Sequence, residues 1–268
     1  MTTLTVALPD GITLHARIDG PEGAPYVVFA NSVLTDMSIW DAQADALADR
    51  YRVLRYDQRG HGASEASAGA MDFARYGADL LAVMDAAGVD RCAVAGLSMG
   101  CPTALAALAA APDRFAAFIA VDGVIRSAPG RAAFWTERRE TALSDGMEAI
   151  AASTAPRWLP GESEDSALSA RLRAMIAGTS VEGFAAATYA LSDYDQTTAI
   201  ACPVLGIAGA DDGAMPDAVS KQFGGIPGAR IAIIPGAGHL PNFQKPEAFN
   251  DALLAFLDQN YPTTKEQA

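Results

Sequence analysis

Between Arg91 and Asp113 the chain carries no charged side chain, and this stretch constrains the fold more than any other segment. A run of that length could be mistaken for a membrane span, but Gly96, Ser98, Gly100 and Pro102 interrupt it. It reads better as a buried strand, a tight turn and a buried helix, which demands a core large enough to cover both faces of a sheet. The chain has the material for one: 268 residues, of which 50% are hydrophobic and only 19% charged. That balance predicts one large globular domain with an inserted subdomain and argues against disorder.

The sequence on either side of that run repeats its logic. Short β-rich runs, Thr13 to Ile18, Tyr26 to Ala30, Arg52 to Tyr56, Cys92 to Ala95, Ala117 to Val121, Val204 to Ala208 and Arg230 to Ile234, alternate with Ala-rich helical runs. The helices are expected at Trp40 to Asp49, Phe73 to Ala87, Met99 to Ala111 and Pro246 to Gln259. Such alternation predicts an α/β fold, a mostly parallel central sheet with helices on both faces. From about Gly123 to Thr198 the alternation stops, and four helical runs follow: Arg131 to Leu143, Met147 to Ser153, Ala167 to Ile176 and Val181 to Tyr189. Pro156, Pro160-Gly161 and Gly178 are expected to separate them. The expected organisation is therefore a core of 1–122 and 199–268 carrying a helical cap insertion, 123–198.

Charge limits the partners. Nineteen Lys and Arg against 32 Asp and Glu give a net charge of −13, which disfavours broad attachment to nucleic acid or to an anionic membrane. Met1 to Asp10 holds no basic leader followed by an apolar segment, so a cytoplasmic location is expected. Cys92, Cys101 and Cys202 lack metal-ligand spacing and read as small core residues. No cofactor or metal is called for, and the oligomeric state is left open.

The strongest chemical signal is Gly96-Leu97-Ser98-Met99-Gly100, which follows a strand run and opens a helix run. The glycines remove Cβ atoms where the chain turns sharply, leaving Ser98 at the tip as a candidate nucleophile. A serine hydroxyl needs a base, and the three histidines are His15, His61 and His239. His15 lies in an early strand and His61 in a turn that polar groups brace. His239 follows the last strand through Pro235-Gly236-Ala237-Gly238 and suits the order serine, acid, histidine. For the acid, Asp212 is the first choice, with Asp211 and Asp122 as alternatives, all three beyond the C-terminal ends of strands. The Met99 N–H and the Val33 N–H, from the loop Asn31-Ser32-Val33-Leu34, are the candidate oxyanion donors. Ser32, Leu34, Trp135 and Trp158 are candidate substrate contacts.

These elements resemble the α/β-hydrolase fold family and, more narrowly, the 3-oxoadipate enol-lactonases. The resemblance runs through Asn31-Ser32 with Thr35-Asp36 and Trp40-Asp41, Arg55-Tyr56-Asp57 with Arg59-Gly60-His61-Gly62-Ala63-Ser64, and Gly96 to Gly100. It continues in Gly209-Ala210-Asp211-Asp212 with Pro216 and in Gly238-His239-Leu240. It implies Ser98 as nucleophile, Asp212 as acid, His239 as base, Val33 with Met99 at the oxyanion, and a cap that brings Trp135 near the substrate. Leu34, Cys101-Pro102 and Met215 depart from the family pattern. The expected partner is a small lactone or ester, first of all an enol-lactone of aromatic catabolism. Alternatives on the same site are a carboxylesterase, a lactonase acting on acyl-homoserine lactones and a perhydrolase-like enzyme, and outside catalysis a ligand receptor. A substrate carboxylate would need local positive charge, which Arg126, Arg131, Arg138, Arg139, Arg157, Arg171 and Arg173 could supply unless Glu137, Glu140 and Glu148 pair with them.

Overall fold

The computed structural model describes residues 1–263. Eight strands form one sheet: β1 (Thr2–Ala7), β2 (Thr13–Asp19), β3 (Tyr26–Ala30), β4 (Arg52–Tyr56), β5 (Cys92–Leu97), β6 (Phe115–Val121), β7 (Val204–Gly209) and β8 (Arg230–Ile234). Their order is β1-β2-β4-β3-β5-β6-β7-β8. β1, β2 and β4 pair antiparallel, and every pairing from β4 through β3 to β8 is parallel.

The period of two along the central strands divides the core. Val27 and Phe29 of β3 join one hydrophobic cluster and Val28 and Ala30 the other. On the first face lie α1 (Asp41–Leu47) and α9 (Pro246–Asn260); on the second lie α2 (Phe73–Ala86), α3 (Gly100–Ala110) and α7 (Met215–Phe223). β5 and β6 are buried at every position, which is why they read as unbroken apolar runs.

β1 was not among the expected strands, because only Val6 of its six residues is buried and an edge strand with exposed positions lacks an apolar run. The short α7 and α8 (Pro241–Gln244) were also unforeseen. Between β6 and β7 the chain forms α4 (Arg131–Trp158), α5 (Ala167–Gly178) and α6 (Val181–Ser192), with α4 packed on both others. Pro156 does not separate helices as expected; it lies inside α4, near its C-terminal end, where the missing N–H costs a single hydrogen bond. The break falls instead at Gly146, whose φ of 81° and ψ of 179° are non-helical and fold the two halves of α4 against each other. Arg138 of the first half donates to Thr154 Oγ1 of the second. Among the described residues no helix is long and apolar enough to cross a membrane.

Candidate active site

Parallel strands deliver their following loops to one edge of the sheet, and the loops after β3, β5, β6, β7 and β8 meet there. β5 turns into α3 so tightly that a Cβ on Gly96 would lie 2.2 Å from the Gly100 carbonyl oxygen, and one on Gly100 2.2 Å from that of Ala30. Ser98 sits at the tip with φ of 51°, a conformation that costs a non-glycine residue of order 1–3 kcal/mol. Its N–H donates to the Val121 carbonyl at 2.8 Å and its own carbonyl accepts from Cys101 at 3.0 Å, which hold the strained turn in place.

The three catalytic candidates are joined by hydrogen bonds. His239 Nε2 lies 3.0 Å from Ser98 Oγ, and His239 Nδ1 lies 2.7 Å from Asp212 Oδ2. With the Nδ1 proton donated to the carboxylate, Nε2 is left as acceptor for the serine hydroxyl, the tautomer a general base requires. The loops carrying Asp212 and His239 run so close that a Cβ on Gly209 would lie 2.0 Å from the Gly238 carbonyl oxygen. Asp211 is exposed and its N–H donates to Ala237. Asp122 is buried beside the pair, its carboxylate accepting from Gly209 N–H at 3.2 Å. One oxygen each of Asp122 and Asp212 and one ring nitrogen of His239 lie within 4.8 Å of one another, and both His239 nitrogens are engaged by Ser98 and Asp212.

The other histidines are held elsewhere. His15 donates its backbone N–H to Ser64 Oγ. His61 is fully enclosed, its Nδ1 3.1 Å from the Arg59 carbonyl, and burial lowers its pKa to about 4.

The loop Asn31 to Leu34 is fixed from below. Asn31 Nδ2 donates to the Tyr56 carbonyl, Gln58 Nε2 donates to the Asn31 carbonyl at 2.6 Å, and Thr103 Oγ1 of α3 donates to Gln58 Oε1. Leu34 takes φ of 66°. Among the described residues, the N–H groups of Val33 and Met99 have no partner within the protein, and both residues are buried. Ser32 is buried with an unpartnered hydroxyl.

The Trp158 ring lies 4.9 Å from that of His239, tilted by 40°, and the Trp158 carbonyl accepts the His239 backbone N–H at 3.1 Å. Gln244, which the sequence reading missed, ties the same region together: Oε1 accepts from Gly238 N–H and Nε2 donates to the Pro160 carbonyl. No sequence pattern marks it, because both partners are backbone groups, one of them 84 residues away. Trp135 packs against Phe134 and Phe184, so the structure joins it to the helices between β6 and β7.

Those helices also gather charge. The guanidinium of Arg131 lies 4.3 Å from the centre of the Phe134 ring, and those of Arg138 and Arg157 each lie 5.6 Å from it. Among the described residues none of the three pairs with a carboxylate; Glu137, Glu140 and Glu148 form no ion pair with them. Burial first, then repulsion by Arg157 and Arg131, lower the Arg138 guanidinium to about 10, and burial likewise lowers Arg131.

Known proteins share this architecture. The alpha/beta hydrolase family pattern matches residues 27–252. The chain is 32% identical over 253 residues to 3-oxoadipate enol-lactonase 2 of Acinetobacter baylyi, covering 92% of this chain and 93% of the relative. Among solved structures, a hydrolase from Pseudomonas aeruginosa superposes with a TM-score of 0.90 at 35% identity, covering 96% of this chain and 98% of that one. The enol-lactonase from Burkholderia xenovorans does so with a TM-score of 0.87 at 33% identity, covering 95% and 99%.

Proposed function

The chain belongs to the alpha/beta hydrolase family and is a hydrolase acting on carboxylic ester bonds, and from that premise we propose that it opens a small lactone through Ser98, His239 and Asp212. Our first choice of substrate is the enol-lactone of 3-oxoadipate, within aromatic catabolism. The observation that carries the reading is the unbroken relay of 3.0 Å and 2.7 Å hydrogen bonds from a strained serine through an imidazole to a carboxylate.

Ser98 Oγ attacks the ring carbonyl carbon while His239 Nε2 takes its proton, and the imidazolium is stabilised by Asp212. The oxyanion is held by the N–H groups of Val33 and Met99, each worth about 3 kcal/mol in such sites. Collapse breaks the ring carbon–oxygen bond. The leaving enolate stays tethered to the acyl group, takes the proton back and tautomerises to the ketone. Water then attacks the ester carbon, giving a proton to His239, which passes it to Ser98 Oγ as the acyl carbon–oxygen bond breaks; the acid product leaves and ionises in water.

An anionic substrate must overcome a protein of net charge −13. The three arginines around Phe134 support that substrate class. They repel one another, Arg131 and Arg138 are partly desolvated, and Arg131 stands at the N-terminal end of α4, where a helix disfavours a cation. A carboxylate would relieve all three conditions, and arginine's planar fork suits it. The stretch 123–198 then acts as a cap that supplies this charge, and Trp158 borders the base.

Turnover of an anionic enol-lactone, a neutral lactone and a short nitrophenyl ester, each by wild type and Ser98→Ala, tests the reading. The expected order places the anionic enol-lactone first, with every activity lost in the variant. Equal turnover by Ser98→Ala would overturn the mechanism, and preference for the neutral ester would overturn the substrate class.

A further inference from the structure

The loop after β6 holds a carboxyl group that the relay leaves unused. Asp122 is 1% exposed and its backbone takes φ of 39°. Among the described non-glycine residues only Leu34 and Ser98 share a positive φ, and these belong to the loop of Val33 and to the serine turn. Strain of this kind persists where the surroundings over-determine a geometry.

The hydrogen bonding of Asp122 does not suit an ionised group. A carboxylate offers about four acceptor positions, and the two oxygens of Asp122 share the single N–H of Gly209, at 3.2 Å to each. Among the described residues no lysine or arginine acts on it. The titratable groups that face it are Asp212, from the loop after β7, and His239, from the loop after β8. One oxygen of each carboxyl and one ring nitrogen of His239 lie within 4.8 Å of one another. Two carboxylates that close, one of them buried and the other half-buried, cannot both hold a charge without strong repulsion.

We propose that Asp122 is a positioning residue, a neutral carboxylic acid whose O–H donates to Asp212 and holds that carboxylate toward His239. Asp212 Oδ2 then accepts from His239 Nδ1, and the Asp122 proton fixes the plane of the Asp212 carboxylate. Burial, and next the Asp212 charge, push the Asp122 carboxyl well above the ordinary range, in agreement with the neutral form. The inference rests on the reading of Ser98, His239 and Asp212 as the reacting relay.

The test compares wild type, Asp122→Asn, Asp122→Ser and Asp122→Leu on a neutral nitrophenyl ester from about pH 5 to about pH 9. A serine-directed phosphonate counts competent sites, so unfolded protein does not enter the rate. Asparagine keeps a donor to Asp212 but cannot ionise. Its kcat is expected within about threefold of wild type, with the acid limb of kcat/KM within about 0.3 pH unit. Leucine has no donor and is expected to lose on the order of tenfold to a hundredfold in kcat at nearly unchanged KM. Serine restores a donor and should recover part of that loss, which keeps the test alive if the asparagine variant does not fold.

An ionised Asp122 would give the opposite result. Its replacement by asparagine would remove a negative charge beside the imidazole and move the acid limb down by about one pH unit or more. That shift, or wild-type kcat in the leucine variant, would overturn the proposal. Ser98→Ala, assayed alongside, separates the two readings: an active Ser98→Ala refutes the relay itself, whereas an inactive one beside a fully active leucine variant refutes only the role of Asp122.

Discussion

Arg55 and Arg59, at and just beyond β4, and Arg131, Arg138 and Arg157, in α4, live under opposite rules, while Arg171 and Arg173 of α5 pair with Asp41 and Glu164. Arg55 is fully enclosed and bridges Asp19 and Asp41 at 2.6 Å each; Arg59 is enclosed and bonds both oxygens of Asp79 at 2.8 Å as well as Asp10 at 2.7 Å. Every buried positive charge there is met by carboxylates, as removal from water demands. Arg131, Arg138 and Arg157 instead crowd one phenylalanine, with no ion-paired carboxylate among the described residues. On the proposed reading, paired charge serves stability and the arginines around Phe134 serve substrate preference. Substitutions in the first set should change stability with no change in substrate preference, and substitutions in the second should do the reverse.

The largest effect is expected at the enclosed pair. Asp79→Ala leaves Arg59 without its bidentate partner and should cost about 3–5 kcal/mol, read as a fall in the denaturant midpoint at unchanged m, while the ratio of anionic to neutral turnover stays fixed. Next comes His61, in the same turn as Arg59. Its folded pKa of about 4 lies below the unfolded value of 6.5, so its contribution to stability is intact above pH 6.5 and drains away as pH falls toward 4. The loss approaches roughly 3 kcal/mol, and urea melts from neutral to acid pH should flatten in His61→Asn relative to wild type.

A smaller and different change is expected in the second set. Arg138→Gln should lower kcat/KM for an anionic lactone by roughly tenfold to a hundredfold, spare a neutral ester, and change the melting temperature little, because loss of the bond to Thr154 is offset by removal of a repelled, half-buried charge. A large drop in stability with unchanged selectivity would erase the contrast between the two regions. The smallest effect belongs to Val33→Ala and Met99→Ala. The proposed donors there are main-chain groups, so kcat should fall by less than about tenfold, against the roughly hundredfold or more that follows loss of a side-chain donor.

The legible parts of this molecule were those with local causes. The turn at Ser98 announced itself because Gly96 is demanded by the approach of the Gly100 backbone four residues on, although Gly100 itself is demanded by the β3 backbone at Ala30, and β5 and β6 because they are buried on both faces. His239 and Asp212 followed from their places after strands. β1 escaped notice because its pairing with β2 is a long-range fact and five of its six residues are not buried. The course of α4 was misjudged at Pro156 and correctly interrupted near Gly146, where positive φ ends helical geometry. The arginine cluster was visible only as an excess of arginine. Which of them meet around Phe134 depends on how the two halves of α4 fold together, and no periodicity encodes that. Asp122 was weighed only as a rival to Asp212, since sequence places both after strands and cannot show that they share a few ångströms with one imidazole.

The most direct test of the relay is acid-quenched peptide mass spectrometry of the wild-type enzyme during turnover of a slowly released ester. The account predicts an acyl group on the peptide carrying Ser98, absent in Ser98→Ala, whose turnover falls by on the order of ten-thousandfold or more. An acyl group on another residue, or undiminished turnover by Ser98→Ala, would contradict it.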